Sequence, residues 1–128
     1  MIIAKSQKDL EKMRAVGELI AEVRERLRAM VAPGVTTLEL NAAAEKMMRD
    51  AGSIPTFIGY KPHGMVPFPY AICASVNDAI VHGFSNDKPL KEGDIVSLDL
   101  KDEVSQAVVK PVGAEGYDYT YVIMPMRV

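Results

Sequence analysis

Two carboxylates are the residues of this chain whose setting could do chemistry. Asp99 lies in the apolar run Ile95 to Leu100, where a buried carboxylate is costly unless it is paired or bound to a metal. Asp118 stands among three tyrosines in a similar run. If the two strands pair, the carboxylates could converge on one hard divalent cation or on two. Alternation alone slightly favours a plainer interpretation, in which Asp99 and Ser97 share the solvated face of a half-exposed sheet.

A histidine and a cysteine precede these carboxylates. His82 stands before Gly83, a pattern that suits an imidazole aimed from a strand end into a cleft. There it could donate a hydrogen bond to a reacting carbonyl or carry a proton, although a lone histidine is more often structural. Cys73 is the only cysteine and has no base near it in sequence, so we interpret it as a small buried or pocket-lining residue.

Two amphipathic helices are predicted before the residues with chemistry. The first begins near Gln7 behind an N-cap at Ser6 and ends near Val31. The second begins behind a threonine cap at Thr36 and runs to about Asp50. Their apolar residues recur at helical spacing, so each helix should bury one face against the rest of the chain.

Several short strands are predicted after the helices. Alternation and turn residues place them at 71–79, 80–83, 95–100, 104–109 and 117–124. Helices followed by strands indicate the α+β class, with two helices on one face of a largely antiparallel sheet. At 128 residues the chain is predicted to form a single domain, 1–128.

The loop at 53–70 holds four of the eight prolines and a group of aromatic residues. Such a segment cannot be regular helix or central strand, and it displays Phe57, Tyr60, Phe68 and Tyr70. These rings could be a hydrophobic plug beneath the loop or the wall of an apolar pocket.

Composition excludes several partners. The net charge is -2, so no global field recruits nucleic acid or an acidic membrane. No apolar run approaches the roughly 20 residues that cross a bilayer. A single cysteine and an N-terminus without a signal-peptide pattern predict a cytoplasmic protein.

Six segments of the sequence carry a family resemblance. They are KSQKDLEKMRAVG, APGVTTLEL, AGSIPTFIGY, FPYAICASVND, IVHGF and LKEGDIVSLDL. In their order, and nearly in their spacing, they resemble the N-terminal half of a type I methionine aminopeptidase. The match runs from about Ile2 to Leu100. The resemblance implies half of a pita-bread fold, with two helices packed on a curved, mainly antiparallel sheet.

The resemblance also implies an activity and roles for particular residues. That family removes N-terminal Met from peptides with a divalent metal, for which Mn, Co, Mg and Fe are candidates here. His82 resembles the histidine that contacts the substrate near the cleaved bond, and Asp99 resembles a bridging metal carboxylate. The residues that fall where the family lines its methionine pocket are Phe57, Tyr60, Phe68 and Cys73.

The sequence departs from this family after Leu100. The family's second half supplies a histidine and two glutamates as ligands, whereas here the tail resembles the last strands of that half, with Asp118 at a carboxylate position. We therefore expect aminopeptidase activity that is weak or lost. The alternative is a non-catalytic half-length scaffold, ancestral or designed. In either case we expect a twofold homodimer that gathers Asp99 and Asp118 from both copies.

Overall fold

Two helices lead into two small antiparallel sheets in the computed structural model, which describes residues 4–104 and 122–127. The helices are α1 (Gln7–Met30) and α2 (Thr37–Asp50). The strands are β1 (Ser53–Pro55), β2 (Ile72–Val76), β3 (Ile95–Leu100), β4 (Asp102–Val104) and β5 (Val122–Arg127). The predicted α+β class, with two helices and an antiparallel sheet, is confirmed.

Both helices begin with reciprocal hydrogen bonds between the N-cap residue and the third helical residue. The Ser6 hydroxyl accepts from the Asp9 amide at 3.2 Å, and the Asp9 carboxylate accepts from the Ser6 amide at 3.1 Å. Thr36 and Glu39 repeat this arrangement at the start of α2. Each pair satisfies amides that have no partner inside the helix, which is why the helices begin where the sequence predicts.

The core lies between the buried faces of the helices and one face of β2 and β3. Residues of α1 spaced three or four apart are buried, and they pack with α2 against alternate residues of the strands. The main members are Val16, Ile20, Val23, Leu27, Leu40, Ala44, Met48, Ile72, Val96, Leu98 and Leu100. In the part of the chain that is described, no helix has the length and apolar content required to span a bilayer.

Strand β3 is central in a three-stranded sheet of order β2-β3-β5. On one side Cys73 of β2 lies opposite Asp99. On the other side Ile123 of β5 lies opposite the same residue. A second, two-stranded sheet pairs β1 with β4. Asp99 therefore lies in the middle of a sheet, with a strand on each side of it.

The predicted strand at 80–83 is wrong. Asn77 adopts a left-handed backbone conformation, with φ of 54°, and ends the pleat of β2 at Val76. His82, with φ of 57°, is left-handed too, so the segment 80–83 is not extended. Ile80 is 89% exposed, so the apolar run that indicated a strand points largely to solvent. Of the strands predicted at 104–109 and 117–124, most residues lie outside the described parts of the chain.

Candidate metal centre

Asp99 is a buried carboxylate on the face of β3 that turns away from the core. Along that face Ile95 is exposed, Ser97 is half-buried and Asp99 is only 2% exposed. The interpretation of Asp99 as a solvated surface residue is therefore wrong. Alternation was correct about the face, but it did not predict that Asp99, unlike Ile95 on the same face, is buried.

One oxygen of the Asp99 carboxylate has no hydrogen-bond partner within the described residues. This atom, Oδ1, is also shielded from solvent. Burial raises the pKa of Asp99 above its ordinary value, and the imidazole of His82 acts in the opposite direction by favouring the charged form. A shielded carboxylate oxygen without a donor is suited to a hard divalent cation, which binds through oxygen ligands.

Asp99 is a single candidate ligand rather than a complete centre. Among residues 4–104 and 122–127, no group of three or more His, Cys, Asp or Glu side chains could hold a metal ion. Asp118, the second predicted metal ligand, lies outside the described residues. Any cation bound here needs further ligands besides those that the structure describes.

Cys73 lies directly across the sheet from Asp99 and is buried. Burial, together with the smaller effect of the negative charge of Asp99, raises the pKa of the Cys73 thiol to about 11. The thiol therefore keeps its proton at neutral pH. A protonated, buried thiol is a poor nucleophile and a poor metal ligand, so Cys73 packs here as a small apolar side chain.

His82 lies in a turn that is docked against the outer edge of β2. The Gly83 amide donates to the Ser75 hydroxyl at 3.1 Å, and the Gly83 carbonyl accepts from the Ala74 amide at 2.9 Å. These bonds bring the exposed imidazole of His82 close enough to Asp99 to influence its charge. The predicted substrate-contacting histidine thus acts electrostatically on the predicted metal carboxylate.

An aromatic cluster lies next to this turn. Phe68 contacts Phe57, Tyr70 and Phe84 edge to face, with ring centroids 6.2, 5.9 and 5.0 Å apart. Phe84 also meets Tyr70 at 5.8 Å. Edge-to-face packing of this kind adds to the stabilisation from burial. Phe84, which belongs to this cluster, follows His82 by two residues, so the cluster borders the histidine turn.

The four predicted pocket residues do not share one environment. Phe57 and Phe68 belong to the aromatic cluster, Cys73 is buried in the sheet, and Tyr60 is 60% exposed. The backbone does join Tyr60 to the cluster, because the Phe68 amide donates to the Tyr60 carbonyl at 2.9 Å. Sequence reasoning missed Phe84, whose position two residues after His82 was the available signal.

A buried carboxylate beside an imidazole on an α+β scaffold is an arrangement that metal-dependent hydrolases use. The profile of Metallopeptidase family M24 matches residues 11–110. This chain belongs to that family. Membership implies a divalent metal, while the choice among Mn, Co, Mg and Fe stays a prediction.

The relatives of the chain are methionine aminopeptidases, which confirms the resemblance predicted from the sequence. Methionine aminopeptidase B of Synechocystis sp. is 44% identical over 100 residues, covering 77% of this chain and 36% of that protein. The crystal structure of methionine aminopeptidase from Rickettsia prowazekii has a TM-score of 0.73 and 41% identity, covering 80% of this chain and 39% of that one.

A second solved structure matches the full length of this chain. Methionine aminopeptidase from Thermotoga maritima has a TM-score of 0.81 and 28% identity, covering 100% of this chain and 45% of that one. The chain thus spans less than half the length of the relatives named here, and it has the pita-bread architecture over that span.

Proposed function

We propose that the chain forms part of a metal-dependent site that removes N-terminal methionine from peptides. The observation that carries this proposal is the shielded, unpartnered oxygen of Asp99 beside His82. Asp99 would hold a divalent cation together with ligands from outside the described residues, Asp118 or a second chain among them. Because the described residues offer one such carboxylate, we propose that turnover by this chain alone is weak or absent.

Different residues of the chain would bind the substrate carbonyl and the methionine side chain during peptide hydrolysis. A bound divalent cation supplies Lewis acidity for the reaction. His82, on its exposed turn, would hydrogen-bond the substrate carbonyl next to the cleaved bond. The aromatic cluster would receive the methionine side chain, whose thioether makes favourable contacts with ring edges. The raised pKa of Cys73 keeps its thiol protonated in the metal-free chain, so this side chain is not the nucleophile.

Calorimetry with Mn²⁺ tests the metal site directly. We expect the wild-type chain to give a binding isotherm and Asp99→Ala to give none. Asp78→Ala is the matched control, because Asp78 is an exposed carboxylate and its removal should leave the isotherm unchanged. A wild-type chain that gives no heat with either Mn²⁺ or Co²⁺ would refute the site.

Cleavage of a Met-initiated tripeptide in the presence of Mn²⁺ or Co²⁺ tests the reaction. Any activity should vanish in Asp99→Ala and fall about 10²-fold or more in His82→Ala, the usual loss when a hydrogen-bond donor to the reacting carbonyl oxygen is removed. His63→Ala is the control, since His63 is the other histidine and lies exposed in the 53–70 loop. Activity that survives Asp99→Ala would come from a contaminant and not from this site.

A second candidate is a non-catalytic scaffold that associates as a homodimer. What favours it is the large apolar side chains left exposed beside the site, namely Ile80, Val81, Phe84 and Ile95. A sedimentation coefficient that rises with protein concentration would support this function if no peptide cleavage is detected. A monomer at all concentrations would contradict it.

A further inference from the structure

Ser75 connects the sheet to the turn that carries His82. It lies opposite Ser97 in the register of β2 and β3, two positions along the strand from Cys73, and so on the face that carries Asp99. Its side chain is buried, and its hydroxyl accepts the Gly83 amide at 3.1 Å. Ser75 is therefore a polar residue of the site face whose described contact is with the histidine turn and not with substrate.

The backbone at His82 is held in a conformation that it would not adopt freely. A φ of 57° is unfavourable for a residue with a β-carbon, and such residues persist where their surroundings fix them. The following residue gives no room for movement, because a β-carbon on Gly83 would collide with the carbonyl oxygen of Ala74. The turn is thus pressed directly against the backbone of β2.

Few apolar contacts hold this turn. Ile80 and Val81 precede His82 and are both exposed. Phe84 follows it and packs on Phe68 and Tyr70, which anchors the later side of the turn. Directly after His82, the hydrogen bonds of Gly83 to Ser75 and Ala74 supply the attachment that the exposed residues before it do not.

We infer that Ser75 is a positioning residue for His82: its buried hydroxyl fixes the Gly83 amide and so sets the place of the turn that carries the imidazole. An effect of Ser75 on catalysis depends on the proposed function. The effect of its hydroxyl on the position of the His82 ring does not, because it can be measured without turnover. Removing the hydroxyl should release the turn without removing any group that touches the substrate.

NMR on the metal-free chain tests the positioning. In Ser75→Ala we expect amide exchange at Gly83 to rise about tenfold, which corresponds to the loss of about 1.4 kcal/mol. The ring resonances of His82 should also move, while those of exposed His63 stay in place as an internal reference. Ser75→Thr, which keeps a hydroxyl and suits a strand, should restore both signals.

Two further variants keep the test decisive. Ser97→Ala removes the hydroxyl at the matching position of β3 and should leave the Gly83 and His82 signals unchanged. If Ser75→Ala does not fold, Gly83→Ala breaks the same contact from the turn and should move the His82 ring in the same way. Unchanged His82 and Gly83 signals in a folded variant that lacks the contact would overturn the inference.

The peptide assay with Mn²⁺ then separates this inference from the proposed function. If the wild-type chain is active, Ser75→Ala should lower kcat about tenfold with KM unchanged, and Ser75→Thr should recover it. An unaltered kcat would overturn the positioning role in catalysis. If the wild-type chain is inactive, the proposed function fails, and the NMR signals alone decide whether Ser75 positions His82.

Discussion

The buried carboxylate of Asp99 lowers the stability of the metal-free chain at neutral pH, although it is the group that we propose binds a cation. In the folded chain burial raises its pKa above the ordinary value of 3.8, so the native state binds a proton more tightly than the unfolded state does. Stability contributed by this group is therefore present at low pH and is lost as the pH rises through the carboxyl range. The metal-free protein at neutral pH bears the cost of a buried charge that a cation would relieve.

Replacement of Asp99 by asparagine should make the metal-free chain more stable at pH 7. Asp99→Asn removes the buried charge at nearly constant volume, and we expect Tm to rise by roughly 4 °C. The gain should disappear below the ordinary carboxyl range, where the wild-type residue is also neutral. Added Mn²⁺ should raise the Tm of the wild type and not that of the variant. Calorimetric melting curves between pH 3 and pH 7 would refute this if the variant were less stable throughout.

The candidate site residues could be named from the sequence as predictions, but the burial of Asp99 could not be predicted. Composition and order pointed to Asp99, His82 and Cys73. The burial of Asp99 was missed because alternation assigns a face and does not say what covers it. Strand β5, which follows β3 only after residues 105–121, pairs with it over six positions that include exposed Ile95, so pairing alone does not set the burial of Asp99.

At the scale of elements, the side-chain amide of Asn41 links α2 to β2 by hydrogen bonds. The side chain of Asn41 is buried, and its oxygen accepts from the backbone amides of Ala71 at 2.8 Å and Ile72 at 3.3 Å. These two amides stand at the start of the strand that carries Cys73 and Ser75. The helix thereby fixes where β2 enters the sheet, which in turn sets the position of the site face.

Truncation of Asn41 should therefore be costly. Asn41→Ala leaves two buried amides without their acceptor, and we expect the free energy of unfolding to fall by about 2–3 kcal/mol. Lys46→Ala on the same helix is the control, since Lys46 makes an exposed ion pair with Asp50 that is worth no more than about 0.5 kcal/mol. Urea unfolding measures both. Equal losses in the two variants would show that Asn41 has no special role.

The helices were predictable because their signals are local, whereas the histidine turn was not. Ser6 with Asp9, and Thr36 with Glu39, define helix starts within four residues of sequence. The segment 80–83 has the composition of a strand, yet its conformation is set by contacts of Gly83 with residues eight and nine positions earlier. Sequence patterns do not record such contacts, and Asn41 was overlooked for the same reason.

At the scale of the whole molecule, the proposed homodimer would use the exposed apolar residues beside the site, Ile80, Val81, Phe84 and Ile95. A charge at the most exposed of these residues should prevent that association. We expect Ile80→Glu to abolish any dimer seen in sedimentation velocity without lowering Tm, because Ile80 is 89% exposed. Met65→Glu, a matched change at an exposed residue of the 53–70 loop, should leave the dimer intact. A dimer that persists in Ile80→Glu would place the interface elsewhere.

The position of Asp99 in a central strand has a consequence for how the chain acquires its site. Its two flanking strands come from opposite directions along the chain, β2 from before it and β5 from after it. Contacts between distant segments form late in folding, since each requires the closure of a long loop. The capped helices are local and need no such closure. The three-stranded sheet around Asp99 is therefore complete only when β5 docks, and we expect metal affinity to appear during refolding with that final step.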